Sequence, residues 1–190
     1  MINTNKKTKA NTFASGGLII KGNIIKNGID TSRLLNMMLC SDNPGEYKIA
    51  GSPFPPNLFY IHKLSISECF GLLLELGFKK EEARNKIKRW IDGFSLSIIH
   101  RNDSYMDYEK IVEDTNSKVV NEKGDRFKMG ENDIIILAGF LKETINIVHV
   151  KDKGFEETAR RLGINVITTP LIDLEKEKKA KEKLKSKINP

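Results

Sequence analysis

The chain has 190 residues, of which 39% are hydrophobic and 30% charged, and its formal net charge is +7. That length holds one domain with a sizeable core, and this balance of apolar and charged residues belongs to a globular chain rather than a disordered one. No apolar run approaches the roughly 18 residues that a membrane-spanning helix needs, and the "GGLII" after Lys6, Lys7 and Lys9 is too short for the core of a secretory signal.

The positive charge sits at the ends. Residues 1–15 carry three lysines and no acid, and residues 171–190 carry seven lysines against four acids, which leaves +1 for residues 16–170. Basic flanks of this kind hold a polyanion through salt-sensitive, sequence-blind phosphate contacts, or simply keep a chain soluble. Cys40 and Cys69 lack metal-ligand spacing and are too few for a disulfide framework, so a reducing cytoplasm is the expected setting.

In chain order, residues 1–15 are polar and without periodicity, a flexible basic lead-in. "LIIKGNIIKNGID" reads as a strand ending near Asp30, and "TSRLLNMMLC" as a short helix with one apolar face. "SDNPGEYKIAGSPFPPNLFY", residues 41–60, holds four prolines and two glycines and reads as a long loop. "LSISECFGLLLELGF" is predicted to be a helix opened by a Ser65–Glu68 capping box and stopped at Gly77. "KKEEARNKIKRWIDGF" follows as a second helix, with Ala83, Ile87, Trp90 and Ile91 at helical spacing and Gly93 closing it.

Further on, "SLSIIH" is a short strand, "SYMDYEKIVEDTNSKVV" a helix, and "NEKGDRFKMG" a polar turn. "NDIIILAGFLKET" is a helix, "INIVHV" a strand, "FEETARRLG" a helix and "INVITT" a last strand. "LEKEKKAKEKLKSK" in the tail has helix-forming composition with opposite charges close together. The alternation of strands and helices predicts an α/β domain with a parallel sheet.

In such a sheet the strand C-termini and the N-termini of the helices after them share one edge, where ligands bind. Asp30 follows the first strand, Asp152 follows "INIVHV", and Glu68 and Asp133 fall in the first turns of their predicted helices. Each has a plain explanation of its own. Asp30 could cap a helix, Glu68 complete its capping box, Asp133 complement a helix dipole with Asn132 as the cap, and Asp152 serve a turn. Together, four carboxylates in one crevice repel unless a cation or protons intervene. A hard divalent ion such as Mg²⁺ suits oxygen ligands and supports phosphodiester hydrolysis. A phosphate-binding glycine loop, H-E-x-x-H and G-x-S-x-G are all missing from the sequence, and His62, His100 and His149 are scattered.

At these residues the chain resembles the PIN-domain family of metal-dependent nucleases. "GIDTSRLLN" is similar to the family's opening strand and Asp-Thr-Ser turn, and "SISECFGLLLELG" to its helix bearing an essential Glu. "ENDIIILAGFLKE" is similar to the third-acid helix, with the small Ala138 and Gly139, and "INIVHVKDKGFEETARRLGINVITT" to the closing strand, Asp-x-x-Phe turn, helix and strand. The resemblance spans residues 24–170 and implies a PIN-like three-layer α/β/α sandwich in residues 16–170, with a loop insertion at 41–60 and a Lys/Glu-rich helical tail at 171–190.

It further implies that Asp30, Glu68, Asp133 and Asp152 bind Mg²⁺ or Mn²⁺, that Ser32 lies near the metal or the scissile phosphate, and that RNA is cut. Arg33, Lys151 and Lys153 stand beside these acids as candidate phosphate contacts. The family's roles divide between toxins held by an antitoxin and factors of RNA processing or decay, and its members often form homodimers. The alternative is a PIN-fold module that binds RNA or protein without catalysis; a DNA-directed nuclease is a third reading. The insertion at 41–60 is longer than in compact members, and Asp103, Asp125 and Glu131 are further acids able to supplement the four. Trp90 is expected in the core rather than stacked on a base, with Met37 and Met38 as core filling.

Overall fold

The computed structural model describes residues 24–44, 58–121 and 123–168, together with Glu182. The lead-in of residues 1–15, residues 45–57 and the remainder of the 171–190 tail lie outside the described residues.

Five strands form one sheet: β1 (Lys26–Ile29), β2 (Leu58–His62), β3 (Ser97–Ile99), β4 (Ile147–His149) and β5 (Asn165–Ile167). Their order is β3-β2-β1-β4-β5 and every pairing is parallel, with Ile29 opposite Ile61 on one side and His149 on the other. Between them run α1 (Thr31–Cys40), α2 (Lys63–Glu75), α3 (Lys80–Gly93), α4 (Met106–Asn116), α5 (Glu131–Lys142) and α6 (Lys153–Arg161), with a 3₁₀ turn at Asp103–Tyr105 ahead of α4. This is the expected α/β sandwich.

The period-two alternation of the strands divides the core in two. Ile29 and Ile61 face a cluster built with α1, α2 and α3, including Leu34, Met37, Met38, Leu73 and Trp90. Val148 faces the other cluster, with Ile136 and Phe140 of α5 and Phe155 of α6. Gly28 faces the same way, because a Cβ there would stand 3.0 Å from the Phe140 ring. Trp90 is fully buried and stacks on Phe94 at 5.4 Å, so its indole belongs to the core.

The boundaries around β2 and α2 differ from those read in the sequence. The stretch 41–60 ends in a strand: Leu58–His62 pairs with both β1 and β3. Its apolar residues run straight into α2 at Lys63, with no Gly or Pro to mark where extended chain turns helical. Helix α2 therefore starts before Ser65, and its cap is His62, whose Nδ1 accepts from the Leu64 N–H at 3.2 Å. Glu68 stands in the second turn and forms no capping box with Ser65. Gly77 does end α2, at φ +84°. Gly93 is the last residue of α3, as expected, and makes room for Pro44, whose Cβ lies 2.5 Å from where a Gly93 Cβ would be. Among the described residues no helix is long and apolar enough to cross a membrane.

Candidate functional site

From β1 the chain winds outward through β2 to β3, and then returns to lay down β4 and β5 on the other side of β1. The winding thus reverses between β1 and β4, and the crevice beyond the strand ends at such a switch point is where doubly wound sheets bind ligands. Asp30 leaves β1 on one flank of this point and Asp152 follows β4 on the other. The Asp30 N–H donates to the His149 carbonyl at 3.1 Å, which fastens the two strand ends together.

Asp30 is buried and caps α1, accepting from Ser32 through its Oγ at 2.8 Å and its N–H at 3.3 Å. Asp152, exposed, caps α6 by accepting from the Phe155 N–H at 2.8 Å. Asp133 is half-buried in the first turn of α5 and accepts from the Gly130 N–H at 3.2 Å. Gly130, not Asn132, occupies the cap position of that helix. Glu68 is also half-buried. Its Oε2 accepts from Thr31 Oγ1 at 2.6 Å and its Oε1 from Asn132 Nδ2 at 2.7 Å.

Electrostatics ties these acids to one another. Burial raises the Asp30 pKa above the ordinary carboxylate value; its bonds to Ser32 and the Thr31 backbone pull it down, and the Glu68 charge pushes it further up. Asp133 is pushed up to about 6 by burial and by the charge of Asp30, partly offset by the Gly130 N–H, with Asp152 and Glu68 adding to the rise. Buried Cys69, beside Glu68 in sequence, has its thiol pushed up by desolvation and then by Asp30 and Glu68. Among the described residues no Lys, Arg or His forms a salt bridge with any of the four acids.

The four acids do not form a ready-made cage. Among the described residues no three or more His, Cys, Asp or Glu side chains converge closely enough to hold an ion by themselves. Each carboxylate is instead turned at least partly toward a protein donor. Any divalent ion held here would keep several of its own waters and take only one or two of the carboxylates directly, as Mg²⁺ commonly does. The pKa values of Asp30 and Asp133 are raised first by burial and then by neighbouring acids.

Other candidates go elsewhere. Arg33 is buried, and its guanidinium donates to the Val150 carbonyl at 2.9 and 3.1 Å and to the Thr168 carbonyl, so it braces the ends of β4 and β5 instead of reaching for phosphate. Lys153 is exposed and bridges Glu156 at 3.0 Å and Glu157 at 3.2 Å. Asp125 accepts from the Asn121 amide at 3.1 Å, in the turn before α5. His149 is buried against Asn27, 3.3 Å from its Oδ1, and burial lowers its pKa to about 4, with Arg33 adding to the shift. His62 is lowered to about 4 by burial and by the charges of His100 and Arg101. Both imidazoles are therefore neutral at pH 7.

The two residues that sequence reading left out of the site are Thr31 and Asn132. Their only signal was adjacency: each is the immediate chain neighbour of a candidate acid.

No protein-family model matches the chain, and no curated protein matches it. Among solved structures it is similar to a chain of VapBC2 from Rickettsia felis, crystallised bound to a DNA fragment from its promoter. The two are 14% identical with a TM-score of 0.54, over 75% of this chain and 98% of that one. At that identity the likeness is one of fold, and it agrees with a PIN-like α/β/α sandwich.

Proposed function

We propose that the protein is a metal-dependent nuclease of PIN type that hydrolyses phosphodiester bonds in RNA. The observation that carries this reading is the gathering of acids at the switch point, where burial and then the charges of Asp30, Asp152 and Glu68 push the Asp133 pKa up to about 6. Perturbed carboxylates in a crevice at a ligand-binding edge are a mark of function rather than of stability.

Asp30, Glu68, Asp133 and Asp152 are the residues that would hold Mg²⁺ or Mn²⁺, some directly and some through water. Such an ion, when bound, supplies activation of the attacking water and neutralises charge building on the phosphate. The chain's own contribution is orientation. Ser32 fixes Asp30 with its hydroxyl and its N–H while the hydroxyl oxygen retains lone pairs that can accept from a water. Thr31 and Asn132 hold Glu68, and the first turn of α5 holds Asp133. Substrate RNA, a protein partner such as an antitoxin, a homodimeric state and a cytoplasmic setting all come from the family resemblance; likeness in fold to a chain of VapBC2 supports the partner in particular.

The absence of a converged ligand group among the described residues favours a second reading, a PIN-fold module that binds RNA or protein without cutting it. Incubating purified protein with total cellular RNA in Mg²⁺ or Mn²⁺, beside a chelator control and Asp30→Asn, separates the two. Cleavage that needs both the metal and Asp30 supports the nuclease. RNA retained but uncut under every condition supports the binding module.

A further inference from the structure

Glu68 has a long side chain with several rotatable bonds, and fixing such a chain costs rotamer entropy. Here both of its oxygens are taken at short range by neutral donors, Thr31 Oγ1 at 2.6 Å and Asn132 Nδ2 at 2.7 Å. Hydrogen bonds to a charged carboxylate are the strong kind. The donors come from two other elements, the N-termini of α1 and α5. Thr31 directly follows Asp30, and Asn132 directly precedes Asp133. The Glu68 carboxylate is thus tied to the two helix starts that carry its fellow acids. An ionised carboxylate has about four lone-pair sites, so one donor on each oxygen leaves each oxygen able to meet a cation or a water as well.

We infer that Thr31 and Asn132 are positioning residues, a two-sided clamp that sets where the Glu68 carboxylate stands relative to Asp30 and Asp133. This inference rests on the nuclease reading, because it assigns the clamp the work of presenting Glu68 to a divalent ion. A merely structural role makes a different demand. Asn132 is exposed, and an exposed polar pair adds little to stability, so on that account its loss is silent.

The test uses the full-length protein and Mn²⁺ as the probe, with the dissociation constant measured by titration calorimetry and cleavage followed as a function of Mn²⁺ concentration. Residues that orient a metal ligand typically contribute 10- to 100-fold in affinity. Asn132→Ala and Thr31→Val are each expected to weaken Mn²⁺ binding about ten-fold. The Mn²⁺ concentration for half-maximal cleavage should rise by the same factor, while the rate at saturating metal is retained. Thr31→Ser, which keeps the hydroxyl, should bind as wild type does. The melting temperature without metal should stay put for Asn132→Ala, which keeps the result readable if Thr31→Val disturbs packing.

Three results overturn the clamp. If Asn132→Ala and Thr31→Val bind Mn²⁺ as wild type does while Glu68→Gln binds more weakly, the clamp fails and the nuclease reading stands. If Glu68→Gln itself binds as wild type does, Glu68 is no ligand and the clamp has nothing to present. If wild-type protein takes up no Mn²⁺, the nuclease reading falls and the clamp falls with it.

Discussion

Gly139 of α5 lies against the imidazole of His62, so closely that a Cβ there would stand 2.8 Å from His62 Cδ2 and 3.3 Å from Ile99 Cγ2. His62 is buried and is held in place as the cap of α2, so the ring has no easy retreat. Gly139→Ala is therefore expected to destabilise the protein by about 1–3 kcal/mol, the usual cost of overpacking a filled core. Gly71→Ala makes the contrast: nothing lies within 4 Å of its Cβ position in mid-α2, and relief of glycine's helix penalty should stabilise by about 0.5–1 kcal/mol. Urea unfolding checks both, as midpoints moving in opposite directions at constant m-value.

Asp133 titrates near 6 in the folded chain against an ordinary 3.8. The folded state binds its proton more tightly than the unfolded state does. The stability this gives is fully present below pH 3.8 and is lost as the pH rises through about 6. At pH 7 the ionised group is a cost, and Asp133→Asn should raise stability there by about 1 kcal/mol, after discounting for partial exposure. The gain should shrink as the pH falls through 6 and vanish below pH 3.8, where the wild-type group becomes protonated in both states. Denaturant midpoints across this range measure it. A divalent ion at the site should also raise the melting temperature of wild type more than that of Asp133→Asn.

His149 has the opposite sign. Its folded pKa of about 4 lies below the ordinary 6.5, so the unfolded chain takes up the proton first. Its contribution is present above pH 6.5 and is lost as the pH falls toward 4, amounting to about 3 kcal/mol at most. His62, lowered to a similar value, adds to the same limb. His149→Gln should make the acid limb of the stability profile shallower, read from unfolding midpoints between pH 7 and 4.

Arg33 braces strand ends, and its replacement should be felt in stability rather than in substrate electrostatics. Arg33→Met leaves the Val150 carbonyl without its Arg33 donor; leaving a buried acceptor unpaired in this way costs about 1–3 kcal/mol. The salt dependence of RNA association should keep its slope, because no phosphate contact is lost. A slope reduced by about one counterion would return Arg33 to the phosphate contacts.

Asp30 and Asp152 were legible as strand-end acids because strand ends and helix caps leave a local mark on the sequence. So were the parallel sheet and the fate of Trp90, whose spacing with Ala83 and Ile87 defines a buried stripe. Strand β2 was not legible, since "LFYIH" passes into α2 without punctuation, and the loss of that strand displaced the start of α2 and the turn assigned to Glu68. The partners of Glu68 were out of reach for a deeper reason. Thr31 and Asn132 meet it only when the starts of α1 and α5 converge on the second turn of α2, and no local pattern encodes a contact across 37 or 64 residues. Gly93 was legible as the end of α3, but its reason was not: it makes room for Pro44, a contact that no local pattern encodes.

The most direct test of the central claim is the mapping of 5′ ends in total cellular RNA treated with wild-type protein or with Asp133→Asn, in Mg²⁺ or Mn²⁺ and in chelator. Because Asp133→Asn is expected to be the more stable protein at neutral pH, loss of cleavage in that variant reports chemistry and not unfolding. The account predicts discrete new ends that require both the metal and Asp133. Identical end profiles for wild type and variant, with RNA bound by both, would contradict it and leave the four acids as caps, turns and a tether between helices.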